Sequence, residues 1–496
     1  MVMRMISKDV QPFSVVEDSG FKDLITKLDP RYKLPSPAHL RNVVLPAQYE
    51  ELRKKVKMDL SDVDDLAITA DCWTSRANDG YLTVTCHFIN TNFDMKCAVL
   101  STKKLLTATN HTAANIAESL SSVFECWDIR KKVRIIVTDN DASMKKACEL
   151  LEIKHLPCVA HTLNLLVQEL LKADSLIPLM SKCKKIVAFF KSSTIATEKL
   201  KEAQGTNESY SLIQEVPTRW NSAYLMIERI ILIKEAIASV LLISSKAPIP
   251  LFADEVAVLE DVCRILAPFN EATKQVSANK SATISLVIPI ICELHQKLDV
   301  LGSLVTTKIA LDLCGILKER MPARLAPYQS RTVTRIATII DPRFKKLGFL
   351  SLSNADQAAK GLEMEIQSQI RSHVPPQIPT PPATPLRTEN TKPMFTFLQN
   401  RMSEQVHSSR ADTIILLRQY LEKKNEPEDT DPVLFWRNNT DLNALQNVAK
   451  KFLCVPATSA ESERNFSKAG QIISDRRCSL KPNIVDMILF LNKNQI

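Results

Sequence analysis

Two aspartates each close a run of β-forming residues. Asp71 ends residues 66–71 (LAITAD) and Asp139 ends residues 133–139 (VRIIVTD). The ends of parallel strands in α/β sheets are where active-site groups gather. If these runs are neighbouring strands, the two carboxylates face each other. Two anions held close in a cleft repel, and either a divalent cation or a shifted pKa relieves the cost. A third acid would complete a phosphoryl-transfer site, with two ions roughly 3.5–4 Å apart clamping the attacking and leaving oxygens. Hard oxygen donors select magnesium or manganese over zinc. An aspartate at a strand end is by default a turn or capping residue, so spacing alone leaves both readings open.

The elements that would position these acids can be read in order. Residues 66–71, 81–90 (YLTVTCHFIN) and 97–103 read as three strands. Residues 110–127 are helix-periodic, and 133–139 form a buried fourth strand. Residues 141–151 form a helix with Asp141 as N-cap. Residues 155–159 make a short fifth strand, followed by an apolar helix over 162–172. The order β-β-β-α-β-α-β-α predicts an α/β domain with helices packed on a mixed sheet. From about 173 to 370 the strand signal vanishes, and segments such as 224–240 and 253–276 carry helical spacing. Six prolines within residues 375–385 exclude a helix interior or a central strand there and predict an extended loop. Helical pattern resumes at 393–424 and again after the acidic turn at 425–431.

Composition narrows the classes. The chain has 496 residues, 45% hydrophobic and 24% charged, with 64 Lys and Arg against 55 Asp and Glu, for a net charge of +9. That is enough apolar content for a sizeable core and too much chain for one ordinary domain. The mild positive charge suits a polyanion partner without proving one. No apolar stretch is long enough to span a bilayer, and the first residues carry Arg4, Lys8 and Asp9 in place of a secretory h-region. The 12 cysteines are scattered, with no Cys-x-x-Cys pair, so a reducing compartment is expected. Cys158-x-x-His161 is the nearest approach to a zinc ligand pair, and no structural zinc is expected.

The residues around the acids resemble the hAT superfamily of DNA transposases and their domesticated BED zinc-finger relatives. Seven blocks carry the resemblance, in order, over nearly the whole chain. They are Leu28-Asp-Pro-Arg-Tyr-Lys-Leu-Pro35, Asp71-Cys-Trp-Thr-Ser75, Val137-Thr-Asp-Asn-Asp-Ala-Ser-Met144 and Cys158-Val-Ala-His161. Pro217-Thr-Arg-Trp-Asn-Ser222 and Ala337-Thr-Ile-Ile-Asp-Pro-Arg-Phe-Lys345 follow. Last comes Pro456-Ala-Thr-Ser-Ala-Glu-Ser-Glu-Arg-Asn-Phe-Ser467, with Leu489-Phe-Leu-Asn492 behind it.

The resemblance implies an α/β RNase H-like catalytic core, a mixed five-stranded sheet with helices, interrupted by a large all-α insertion and closed by a C-terminal hAT dimerisation region. Residues 1–60 would be a helical entry segment, 61–172 the first part of the core, 173–430 the insertion, and 431–496 the dimerisation region completing the core. It implies a third acid at Glu463, not its neighbour Glu461. Asp71, Asp139 and Glu463 would then be the catalytic and metal-holding set, with Mg2+ or Mn2+ if the protein is active. Cys158 and His161 would lie near that set. Trp220 would stack on an extruded base and Arg219 would contact phosphate. Arg476 and Arg477, close to Glu463 in sequence, would add DNA contacts. The lysines at 182, 184, 185 and 191, and the basic run 130–134, read more simply as solvated faces. Trp436, Phe466, Met487, Leu489, Phe490 and Leu491 would form the homodimer or higher-oligomer surface. An intramolecular core is equally economical for these, and both can hold.

The resemblance departs at the amino end. Relatives carry a BED finger with paired Cys and paired His before the entry segment, and no Cys precedes Cys72. Three functions compete. The first is a transposase-derived nuclear protein that dimerises and binds DNA in transcriptional regulation. The second is an active transposase cutting and joining DNA by two-metal phosphoryl transfer. The third is an interaction scaffold or SUMO-ligase-like regulator, for which no RING-like metal site or catalytic Cys is visible.

Overall fold

The computed structural model describes residues 1–74, 80–105, 112–205, 209–279, 281–373, 409–472 and 480–494. The β-branched runs pair into one five-stranded sheet: β1 (Leu66–Thr74), β2 (Gly80–Ile89), β3 (Met95–Lys104), β4 (Val133–Thr138) and β5 (Lys154–Pro157). Its order is β3-β2-β1-β4-β5. The first three strands form an antiparallel meander, and β4 and β5 add in parallel on the other side of β1. The sheet is therefore mixed, as the strand and helix order requires. Helices α1 (Ala113–Trp127) and α2 (Ala142–Leu150) supply the crossovers, and α3 (Val159–Leu171) follows β5.

Both faces of β1 are covered, which explains its nearly unbroken apolar run. Leu66, Ile68 and Ala70 pack with α1 and α2 on one face. Ala67 joins Ile135, Val137 and the helices of the large all-α region on the other. That region includes α4 (Trp220–Leu232), α5 (Ala253–Val276), α6 (Lys308–Ser330) and α7 (Thr332–Ile340). Its core is continuous with the sheet's. The chain then returns through α8 (Pro432–Asn438), α9 (Asn443–Leu453), α10 (Ala460–Ile472) and α11 (Pro482–Asn494). The proline-rich segment and residues 393–408 lie outside the described residues.

Both sheet edges are managed, as unpaired edges invite aggregation. On β3, the Val99 and Thr102 N–H groups donate to Asn494 and Asp486 of α11, at 3.0 and 2.6 Å. On β5, Arg331 donates to the His155 carbonyl at 2.7 Å and Tyr328 to the Pro157 carbonyl at 3.1 Å. The block at 337–345 proves structural. Asp341 is fully buried against Arg343. Trp436 and Tyr420 donate to the carbonyls of Ile340 and Ile339, at 3.0 and 3.1 Å. Every described cysteine is a free thiol, and among the described residues no helix is long and apolar enough to cross a membrane.

Candidate active site

The parallel register of β1 and β4 aligns the two aspartates. Thr69 is the partner of Val137. Strand alternation puts Asp71 on the face of Thr69, which meets the all-α region, and Asp139, the residue after β4, is near enough for its charge to act on Asp71. Asp71 is only 8% exposed and stands beside Thr83 of β2. Its carboxyl is pushed up to about 8, first by burial, then by the charges of Asp139 and Glu463. The Cys72 backbone N–H opposes the rise. Two acids far apart in sequence, Asp139 and Glu463, thus act on the Asp71 carboxyl.

Helix α10 carries Glu463 to this face through three buried contacts. The hydroxyls of Thr69 and Ser462 share a hydrogen bond at 2.6 Å across 393 residues of sequence. The Val159 N–H donates to the Ala457 carbonyl at 3.0 Å. The Ser459 N–H donates to the Cys158 thiol at 3.4 Å. Cys158 is fully buried and its own N–H donates to the Thr138 carbonyl at 2.7 Å. Burial pushes its thiol up, against the Ser459 and His161 amides. It is a buried anchor between β4, α3 and the segment leading to α10.

The two neighbouring glutamates have different surroundings. Glu461 is buried and paired with Lys493 and with Arg464, the latter at 2.9 Å. Burial raises its pKa, but Lys493, Arg464 and His87 overcome that and leave it lowered. Glu463 has no such clamp among the described residues and exerts its charge on Asp71 instead.

Beyond Asp139 the chain turns at once. The Asp141 N–H donates to the Asp139 carboxylate at 3.2 Å. Asp141 caps α2, accepting from Ser143 and Met144 at 2.7 and 3.2 Å. Asn140 donates to Thr162 at 3.1 Å, and the Thr162 and Tyr328 hydroxyls share a hydrogen bond at 2.7 Å. Ser462, Thr162 and Tyr328 are site neighbours that the sequence pattern does not mark. Hydroxyls spaced this far apart carry no local signal, although Ser462 lies inside the Ser-Glu-Arg block.

The donor set suits a hard divalent cation in kind, and the raised Asp71 pKa marks the charge such an ion would neutralise. The carboxylates are not drawn into a finished ligand set. Among the described residues no group of three or more His, Cys, Asp or Glu is placed to hold a metal.

Other expected site residues fall differently. Trp220 is 2% exposed and packs in the large core. In this arrangement it is a core residue, the alternative to a base-stacking platform. Its backbone N–H donates to the Asn164 side-chain oxygen of α3 at 3.1 Å, and the Gln168 side chain donates to the Pro217 carbonyl at 3.1 Å. The Arg-Trp block therefore lies along α3, on the stripe that also carries His161. Arg219 is exposed there, and His161 is half-buried. Arg476 and Arg477 lie outside the described residues, as does the Phe466 side chain.

Trp436, Leu489, Phe490 and Leu491 are buried within this chain, at 1% exposure or less. Within this chain they are core residues. Phe490 meets Tyr49 and Trp127 at centroid distances of 4.8 and 5.8 Å. Met487 is half-buried against the amino-terminal helices. Of the basic clusters, Lys182, Lys184 and Arg134 are ion-paired within the chain.

Three family models match this chain. Residues 69–163 match the ZBED1 RNase-like domain, 156–265 the ZBED1 RNase-like helical domain, and 416–495 the hAT family C-terminal dimerisation region. Zinc finger BED domain-containing protein 4 of Homo sapiens is 27% identical, over 100% of this chain and 43% of its own length. Zinc finger BED domain-containing protein 6 of Homo sapiens is 24% identical, over 99% of this chain and 54% of its own length. A Zea mays protein named as an AC transposase is 22% identical, over 96% of this chain and 62% of its own length. The chain thus spans about half the length of the curated relatives it matches.

Proposed function

We propose that this chain, a hAT-related relative of the BED-type zinc-finger proteins, is a transposase-derived nuclear protein that dimerises and binds DNA in transcriptional regulation. In this reading the five-stranded sheet is an RNase H-like core, and the hAT dimerisation region pairs two copies. Leu434, 50% exposed within that region, is a position open to a partner. The observation that carries the reading is the effect of Asp139 and Glu463 on buried Asp71. Keeping three carboxylates together costs stability. A site for phosphodiester and cation gives that arrangement a use.

The same observation supports a second reading, metal-dependent cutting and joining of DNA. Asp71, Asp139 and Glu463 would hold Mg2+ or Mn2+, which when bound polarises a phosphoryl oxygen and activates water. The chain's own contribution is positional. Asp71 gives up the proton it holds below about pH 8. The Asp141 amide orients Asp139, and the Thr69–Ser462 bond holds α10 to the sheet.

Supercoiled DNA incubated with Mg2+ or Mn2+ separates the readings, with wild type compared to Asp139→Asn and Glu463→Gln. Salt-sensitive binding without nicking is the result expected from the first. Metal-dependent nicking lost in both variants would establish the second. Absence of both binding and nicking would reject the two together and leave an interaction scaffold.

A further inference from the structure

We infer that the groove along the outer edge of β5 seats the phosphate backbone of a DNA strand, held by Lys145, Lys154 and Arg331. The inference rests on the DNA-binding reading and adds where the strand runs. Two cavities, of about 620 and 340 Å³, lie along this edge and share His155 and Arg331. The larger is lined by Lys154 and the smaller by Lys145. The smaller also reaches Asn140, the residue after Asp139. The groove therefore leads to the face that carries the three acids.

Its charge is unbalanced. Arg134, Lys451 and Arg324 also line it, and each is paired with a carboxylate: Asp65, Glu365 and Glu169. Lys145, Lys154 and Arg331 have no carboxylate partner among the described residues, and Glu152 is the lining acid left unpaired there. Arg331 is half-buried, with one amine on the His155 carbonyl. A desolvated guanidinium without a counter-ion is costly, and an arriving phosphate relieves it. The positive charges converge. The His155 imidazole is pushed down to about 4, first by burial and then by Arg331 and Lys145. It is neutral near pH 7 and repels no further cation. Thr138 holds its Nε2 at 2.9 Å. Backbone contacts of this kind position a strand without reading its sequence.

The test uses the full chain and a duplex of arbitrary sequence. The probe variant is Lys145→Glu/Lys154→Glu, since both side chains are exposed. The matched control is Lys191→Glu/Lys199→Glu, exposed lysines on other helices. Each phosphate contact contributes a slope of roughly 0.9 in log K against log salt. Loss of two contacts should flatten the slope by about 1.8 and leave the control unchanged, with both variants matching wild type in thermal unfolding. Arg331→Gln should flatten it by about 0.9. Wild-type binding with the same slope in probe and control would overturn the groove but keep DNA binding. No wild-type binding would overturn both.

Discussion

Asp71 and Asp139 each stand two residues beyond a register pair of adjacent parallel strands, Thr69 and Val137, with Asp71 inside β1 and Asp139 just past the end of β4. The side-chain period of a strand is two, so Thr69 and Val137 share a face and the two strand ends come side by side. A slip of one residue in β1 would send Asp71 to the opposite core. The apolar residues on both faces, Ala67 and Val137 on one and Ile68 and Ile136 on the other, fix the register and so hold the acids together.

Asp71 should make the fold less stable as pH rises. Its folded pKa of about 8 lies above the ordinary 3.8. The stability linked to its proton is full below about pH 4 and lost as pH rises through about 8. Asp71→Asn should therefore be more stable than wild type at pH 8.5, on the order of 2–5 kcal/mol, with the gap closing towards pH 4. Urea unfolding at the two pH values measures this. Mg2+ should raise the wild-type Tm at pH 8.5 more than at pH 6, and should do little to the variant.

The two glutamates of α10 should separate by readout. Glu461→Gln breaks the pairing with Lys493 and Arg464 and should cost about 1–3 kcal/mol near neutral pH. Because its pKa is lowered in the fold, that contribution is present above the ordinary carboxylate pKa and fades as pH falls through the lowered value. Glu463→Gln should leave stability near wild type and weaken Mn2+ binding measured by calorimetry. A reversed pattern would move the site to Glu461.

Trp220 should behave as core. Trp220→Ala should destabilise by about 3–5 kcal/mol, while DNA affinity per folded molecule stays unchanged. Its indole N–H finds no hydrogen-bond partner among the described residues, so Trp220→Phe should cost much less. Loss of DNA affinity in the Phe variant at unchanged Tm would restore the stacking role.

Self-association should not run through the buried face of α11. Phe490→Ala should lower the Tm, by about 3–5 kcal/mol of stability, as any large core truncation does. Leu434→Lys should leave the Tm in place and shift the sedimentation coefficient towards monomer. A soluble, fully folded Phe490→Ala monomer would place the interface on α11 after all.

Much of the site's architecture could be read from local pattern. The apolar runs ending at Asp71 and Asp139 gave strands, and Asp141 before a helix-periodic stretch gave its cap. Trp220 and the apolar run at 484–491 could not be assigned the same way. A helix that is apolar nearly all round is equally suited to its own core or to a partner. Only the packing of α11 against β3 and the amino-terminal helices makes it internal.

The sequence by itself determined the element order, the two strand-end aspartates and the family's blocks, because these depend on residue types a few positions apart. Tertiary structure decided which glutamate bears on Asp71. Lys493 and Arg464 claim Glu461, and a hydroxyl pair, Thr69 with Ser462, docks α10 across 393 residues. Contacts at that separation have no periodicity to betray them. They exist only once strand register and helix packing bring the two ends of the chain to one sheet face.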